Sequence, residues 1–188
     1  MPLTVYEKND VKGGMSAIAE GFIEFNVLNQ PRTPKPTKQV PNPKPEYVIA
    51  LSEFTLKGDP KLVSALQETA YADGKKISFR DKSPFPPTIF GSDKQKTTGD
   101  KLIPEGKAIK EGTPVKVHIA TFDTPLNVGC GFDAIMLGTP LNEVETEQVG
   151  GSVDVSVFDE FNEDQAVVDW DSKDELMLRQ RDKRCLLF

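Results

Sequence analysis

Lys75, Lys76, Arg80 and Lys82 alternate with Phe79 and Phe85, and Lys94, Lys96, Lys101, Lys107 and Lys110 follow. From Tyr71 to Lys116 there are ten basic residues against six acidic ones. Cations interleaved with aromatic rings suit a single-stranded polyanion with flat bases. The cations neutralise phosphates, and exposed rings stack bases at roughly 1–3 kcal/mol each. The plainer alternative puts Phe79 and Phe90 in a core and the lysines on a solvated surface. A second basic stretch, PRTPKPTKQVPNPKP from Pro31 to Pro45, holds six prolines and four cations, Arg32 and Lys35 among them, with no acid. Proline removes backbone donors and biases the preceding residue to extended conformations, which predicts a stiff, basic loop. Such a loop serves equally as a surface linker or as a site for nucleic acid or a partner.

Catalytic chemistry finds little purchase. His118 is the single histidine, so a triad or zinc site needing two is excluded, and mid-strand it reads as packing or surface. GKAIKEGT, Gly106 to Thr113, has the letters of a phosphate loop in the wrong order. Cys130 lies in GCG with no evident base, and the pattern predicts a tight turn using glycine at positive φ. No spacing suggests a metal site or a cofactor, and the expectation is a protein that is not an enzyme.

The elements that position these residues read as mainly β. GFIEFNVLN and EYVIALSEF predict strands, and KISFRD a third. GDPKLVSALQETAYADGKK predicts a helix with Asp59 as N-cap, Pro60 at its first position and Gly74 as its stop. Leu62, Val63, Leu66 and Ala70 form its apolar stripe. Lys82 to Gly112 reads as a long irregular excursion. TPVKVHIATF and FDAIMLG predict a closing β-hairpin, turning at DTPLNVGCG. Its first strand sends Val115, Val117 and Ile119 one way and Lys116, His118 and Phe122 the other. Its second sets Phe132, Ala134 and Met136 against Ile135 and Leu137. The sum is an OB-fold-like antiparallel barrel of five to six strands with one packed helix and long loops.

Charge divides the chain. Residues 1–145 carry 18 basic and 18 acidic groups, whereas residues 146–188 carry 5 against 11, so the net −6 lies wholly in the tail. The organisation expected is a flexible arm over 1–14, a domain over 15–145, and a largely disordered acidic tail over 146–188 with a basic, apolar end. Two distant cysteines fit a reducing compartment, and neither a secretory signal nor a membrane-spanning run is visible.

PEYVIALSEFTLKGDPKLVSALQETAYADGKK, then TPVKVHIATFDTPLNVGCGFDAIMLGTPL and an acidic tail, resembles the single-stranded DNA-binding proteins of tailed bacteriophages. The likeness covers roughly residues 15–145 in layout, through loose motifs. It implies an OB-fold that coats single-stranded DNA without catalysis or sequence preference, in replication or recombination within the bacterial cytoplasm. It also implies that the tail recruits replication or recombination proteins, or folds over the DNA groove as a tethered competitor. Phe158, Phe161 and Trp170 then mimic bases or anchor in a partner, against the alternative of a solubilising tail. The DNA-contacting wagers come from the basic–aromatic stretches and the hairpin's polar face: Arg32, Lys35, Lys75, Lys76, Phe79, Arg80, Lys82, Phe85, Lys116 and Phe122.

The last residues depart from that pattern, since DELMLRQRDKRCLLF turns basic and apolar. CLLF has the form of a prenylation box, but a terminal apolar hook ending in Phe188, for a partner or a neighbouring subunit, is the preferred reading. The main rival is a non-enzymatic adaptor that binds proteins through its proline-rich loop and tail. A lipid-anchored eukaryotic regulator is a second. Site size, preference for DNA or RNA, and self-association stay open.

Overall fold

A computed structural model describes residues 4–149, apart from Gln39 and Leu126. The acidic tail, with Phe158, Phe161, Trp170, Phe188 and CLLF, lies outside the described residues. Chain order runs α1 (Val5–Lys8), β1 (Ser16–Arg32), β2 (Glu46–Gly58), α2 (Pro60–Glu68), β3 (Lys76–Asp81), β4 (Thr88–Phe90) and β5 (Lys96–Thr98). It continues through α3 (Gly99–Leu102), β6 (Lys107–Ile109), β7 (Pro114–Asp123), β8 (Val128–Leu137) and β9 (Thr146–Gln148). The fold is mainly β, as expected, but the sheet is larger and more open than a five- or six-stranded antiparallel barrel. Seven strands run in the order β3-β2-β1-β7-β8-β4-β5, and β6 pairs with β9 separately. Pairing is antiparallel except that β4 runs parallel to β8. The sheet curls without closing a ladder, and the end of β3 comes over β8, where a Cβ added at Gly131 would lie 3.2 Å from Asp81 Oδ1.

Alternation decides which face is buried. Val115, Val117 and Ile119 of β7 point inward with Ile49 and Leu51 of β2, Ile77 and Phe79 of β3, and Ile135 and Leu137 of β8. Each fully buried aliphatic side chain contributes about 1.5–3 kcal/mol relative to exposure. Phe132 belongs to this core too, contrary to the expected pairing of its face with Ala134 and Met136. A register shift opposite His118 and Ile119 leaves Asp133 as an extra residue and reverses the phase of β8.

Helix α2 begins as its punctuation predicts. The Asp59 carboxylate accepts the Lys61 N–H at 2.9 Å, with Pro60 beside the cap. It stops at Thr69 rather than Gly74, and buries Leu62, Ala65 and Leu66. The segment expected as a flexible arm is packed where it is described. Thr4 and Glu7 form a reciprocal cap on α1, Tyr6 packs against the core, and Val11 is buried. Lys8 and Asn9 reach Glu68 of α2 at 3.1 and 3.0 Å.

The excursion from Lys82 to Gly112 is structured in short pieces. β6 is anchored by the buried Asn26 of β1, whose amide donates to Ile109 O at 2.8 Å and accepts Ile109 N–H at 3.1 Å. One side chain thus stands in for a rung of strand pairing. At Gly99, which opens α3, any Cβ would fall 1.7 Å from Leu28 O, so the chain crosses β1 there only because glycine has none. Among the described residues, no helix is long and apolar enough to cross a membrane, which says nothing of β-barrels.

Candidate functional site

The outer face of the sheet is left open to solvent around β1, β7 and β8. Register puts Ile18, His118 and Ala134 in one row, and Glu20, Lys116 and Met136 in the next. Ile18, Phe22, Phe122 and Met136 are exposed on this face. Across its end runs the loop from Lys82 to Pro87, which joins β3 to β4. Asp81 starts the loop by accepting the Ser83 N–H at 3.2 Å, and Ser83 Oγ then accepts the Phe85 N–H at 3.2 Å. Two successive side-chain turns, followed by Pro86 and Pro87, hold the Phe85 ring outward.

A cleft of about 310 Å³ lies between that loop and the β7–β8 hairpin. Phe85 and Phe122 line it, 74% and 53% exposed. Ala120 and Gly131 contribute small residues, and Asp81 and Asp133 contribute carboxylates. Two exposed rings brought together on one cleft make an apolar patch of the kind that marks an interaction site. The GCG stretch explains part of the shape. It lies within β8, not in a turn, and Gly129 and Gly131 are not at positive φ. Gly129 faces Phe122, and a Cβ there would meet the ring at 2.3 Å, so the absent side chain is what lets the ring lie across the strand. Cys130 between them is half-buried and hydrogen-bonded to Tyr6. Burial raises its thiol above the ordinary value, leaving it a poor nucleophile.

Charge across the sheet is more balanced than the tally of lysines predicts. Lys116 donates to Glu20 at 2.9 Å, and Lys57 shares the same carboxylate at 3.4 Å. Those hydrogen bonds, Lys116 first, hold Glu20 below the usual carboxylate range. Lys76 is paired with Glu24. Arg32 and Arg80 converge on the buried Glu46, each at 3.3 Å. His118 Nδ1 lies 2.6 Å from Asp133 Oδ1. Burial, together with the charge of Asp133, raises the Asp81 carboxyl, while the backbone N–H groups of Ser83 and Lys82 pull it back.

Of the residues predicted to contact nucleic acid, the structure brings Phe85 and Phe122 together, with Lys116 further along β7 on the same face. Lys82 is exposed at the start of the cleft loop. Lys75 and Lys76 stand at the opposite end of β3, and Arg32 and Lys35 where β1 runs into the proline-rich loop. Phe79 is corrected outright: it is 5% exposed in the core, because the β3 alternation that puts Ile77 inward puts Phe79 inward too. Sequence reasoning missed Asp81 and Asp133, since an acid in a basic stretch carries no mark of the cleft it lines and the bulge has no local signature.

No protein-family model matches the chain, and no curated protein does. Solved structures match loosely. The single-stranded DNA-binding protein from bacteriophage Enc34, in complex with single-stranded DNA, gives a TM-score of 0.44 at 13% identity, covering 73% of this chain and 90% of that one. The same phage protein in another structure gives 0.41 at 15%, over 76% and 88%. Its C-terminal truncation gives 0.41 at 13%, over 66% and 85%.

Proposed function

We propose that this protein binds single-stranded DNA without sequence preference along its backbone and without catalysing a reaction, laying bases against Phe85 and Phe122. The observation that carries the reading is the pair of exposed rings on one cleft of an open sheet face. Stacking is tolerant of sequence because every base has a π-face. Exposed lysines beside the cleft, Lys82 foremost, meet the phosphates, and Lys116 joins when phosphate displaces Glu20. DNA binding is also what the Enc34 protein is described by, and it is proposed for this chain on its own residues. A role in phage replication or recombination, with the acidic tail as partner hook or tethered competitor, completes the proposal. The carboxylates that pair Lys76 and Lys116, and the exposed Ile18, Phe22 and Met136, favour one rival, a surface that binds proteins.

Fluorescence anisotropy with labelled single- and double-stranded oligonucleotides, at two salt concentrations, separates the two. The expected result is salt-sensitive binding to single strands, tightened in a chain ending at Thr146. Binding that truncation leaves unchanged keeps the DNA reading and makes the tail a hook. No binding by either form overturns the reading in favour of the adaptor.

A further inference from the structure

We infer that the cleft between the 83–87 loop and the β7–β8 hairpin is a pocket for a single nucleobase that presents two adjacent N–H donors, guanine above all. The inference rests on the single-strand reading and adds a preference at one position to it. A site for phosphate would be lined by cations, yet among the described residues no lysine or arginine lines this cleft. The charged groups of its polar wall are both acceptors, Asp81 from the end of β3 and Asp133 from the bulge of β8, and the Ser83 and Thr88 hydroxyls complete it. Its apolar wall suits a flat ring, with Phe85 and Phe122 exposed and Ala120 and Gly131 adding no bulk. A base entering between these walls stacks by its face and meets carboxylates with its edge.

The edge decides which base. Guanine carries N1–H and the N2 amino group side by side, and a carboxylate takes both in a fork. Cytosine and adenine each offer an amino donor next to a ring nitrogen that repels a carboxylate. Thymine offers one N–H between two carbonyls. Asp133 is the better placed reader, because it holds His118 by Oδ1 alone and is largely exposed. Asp81 has a second task, holding the loop through Ser83. Two like charges lining one cleft repel each other, and the Asp133 charge adds to the burial that raises the Asp81 carboxyl. A donor-rich edge placed between them relieves it; a phosphate or an acidic segment adds to it.

The test uses the full chain and labelled oligo-dT of about 12 nucleotides, a length within the span of one such fold. One central position carries thymine, guanine or hypoxanthine, which is guanine without its amino group. The strand with guanine is expected to bind at least about fivefold more tightly than the other two, the lower end of what a two-donor base contact provides. Asp133→Asn should bring that ratio towards one while tightening binding to plain oligo-dT, because an anion near the backbone is gone. Asp81→Asn should lower the ratio as well. Equal affinity for guanine and hypoxanthine in the unaltered protein, with oligo-dT still bound, overturns the pocket and leaves the single-strand reading standing. A preference that survives in Asp133→Asn and Asp81→Asn overturns it too. Failure to bind any strand removes the reading beneath it, and the pocket falls with that.

Discussion

Two corners of this sheet are built from the same kinds of residue and use them in opposite ways. Where β1, β2 and β3 meet, Arg32 and Arg80 converge on Glu46, which is 1% exposed, and Phe79 lies in the core beneath. At the other corner, Phe85 and Phe122 stand in solvent beside Asp81 and Asp133. In the first, aromatic and cations are absorbed into the fold, the two guanidinium groups sharing one buried carboxylate. In the second the rings are presented with carboxylates beside them, and no lysine or arginine is among the described residues that line the cleft. The residue types alone do not separate the two. What separates them is strand phase, which turns Phe79 in, and a pinned loop, which turns Phe85 out.

The sharpest way to break that comparison is to truncate one ring from each corner. Phe79→Ala should cost about 3–5 kcal/mol of stability by opening a core cavity, read as a lowered urea midpoint. Phe85→Ala should leave the midpoint in place and weaken oligonucleotide binding by about tenfold or more, the loss of one stacked base. A Phe79 variant that unfolds normally but binds poorly would erase the distinction. Glu46→Ala comes next, and removes the buried carboxylate that two partly buried guanidinium groups share, for a loss of about 3 kcal/mol, checked by thermal melting.

Smaller effects sharpen the picture. Glu20→Gln releases Lys116 and Lys57 from their shared carboxylate, so single strands should bind more tightly, and the slope of log affinity against log salt should steepen by about one. Unchanged slope would mean that neither lysine meets phosphate. Asp81 gives the smallest effect. Its carboxyl is raised in the folded state, so the stability it contributes is present below the unfolded carboxylate value and is lost as pH rises through the raised one. Asp81→Asn should therefore flatten that part of the pH–stability curve, measured by urea unfolding from acid to neutral pH, with little change at the acid end.

Much of the fold is legible in the chain because the signals are local. Asp59 and Pro60 mark the start of α2, and the alternation of β7 assigns every one of its faces correctly. The β7–β8 hairpin follows from two apolar strands close in sequence. What is not legible depends on distant partners. β4 is three residues long and owes its strand character to lying parallel to β8. The loop before it reads as irregular until Asp81, arriving on β3, caps it. Half of the site is visible for the same reason: Lys116 and Phe122 follow from strand phase, and Phe85 from its company. Asp133 does not, because a bulge is an agreement between two strands, and neither one announces it.

The position of β1 in the centre of the sheet has a consequence in time. One of its edges is completed by β2 soon after it is made, but the other waits for β7, where Ser16 meets Ala120 and Phe22 meets Pro114. Until the ribosome has delivered that distant strand, β1 shows an unpaired central edge to solvent. Sheets that depend on such remote pairing fold slowly and are prone to wrong partners on the way. The growing chain therefore makes β2 to β6 with its middle exposed, and β7 is the strand that makes it safe.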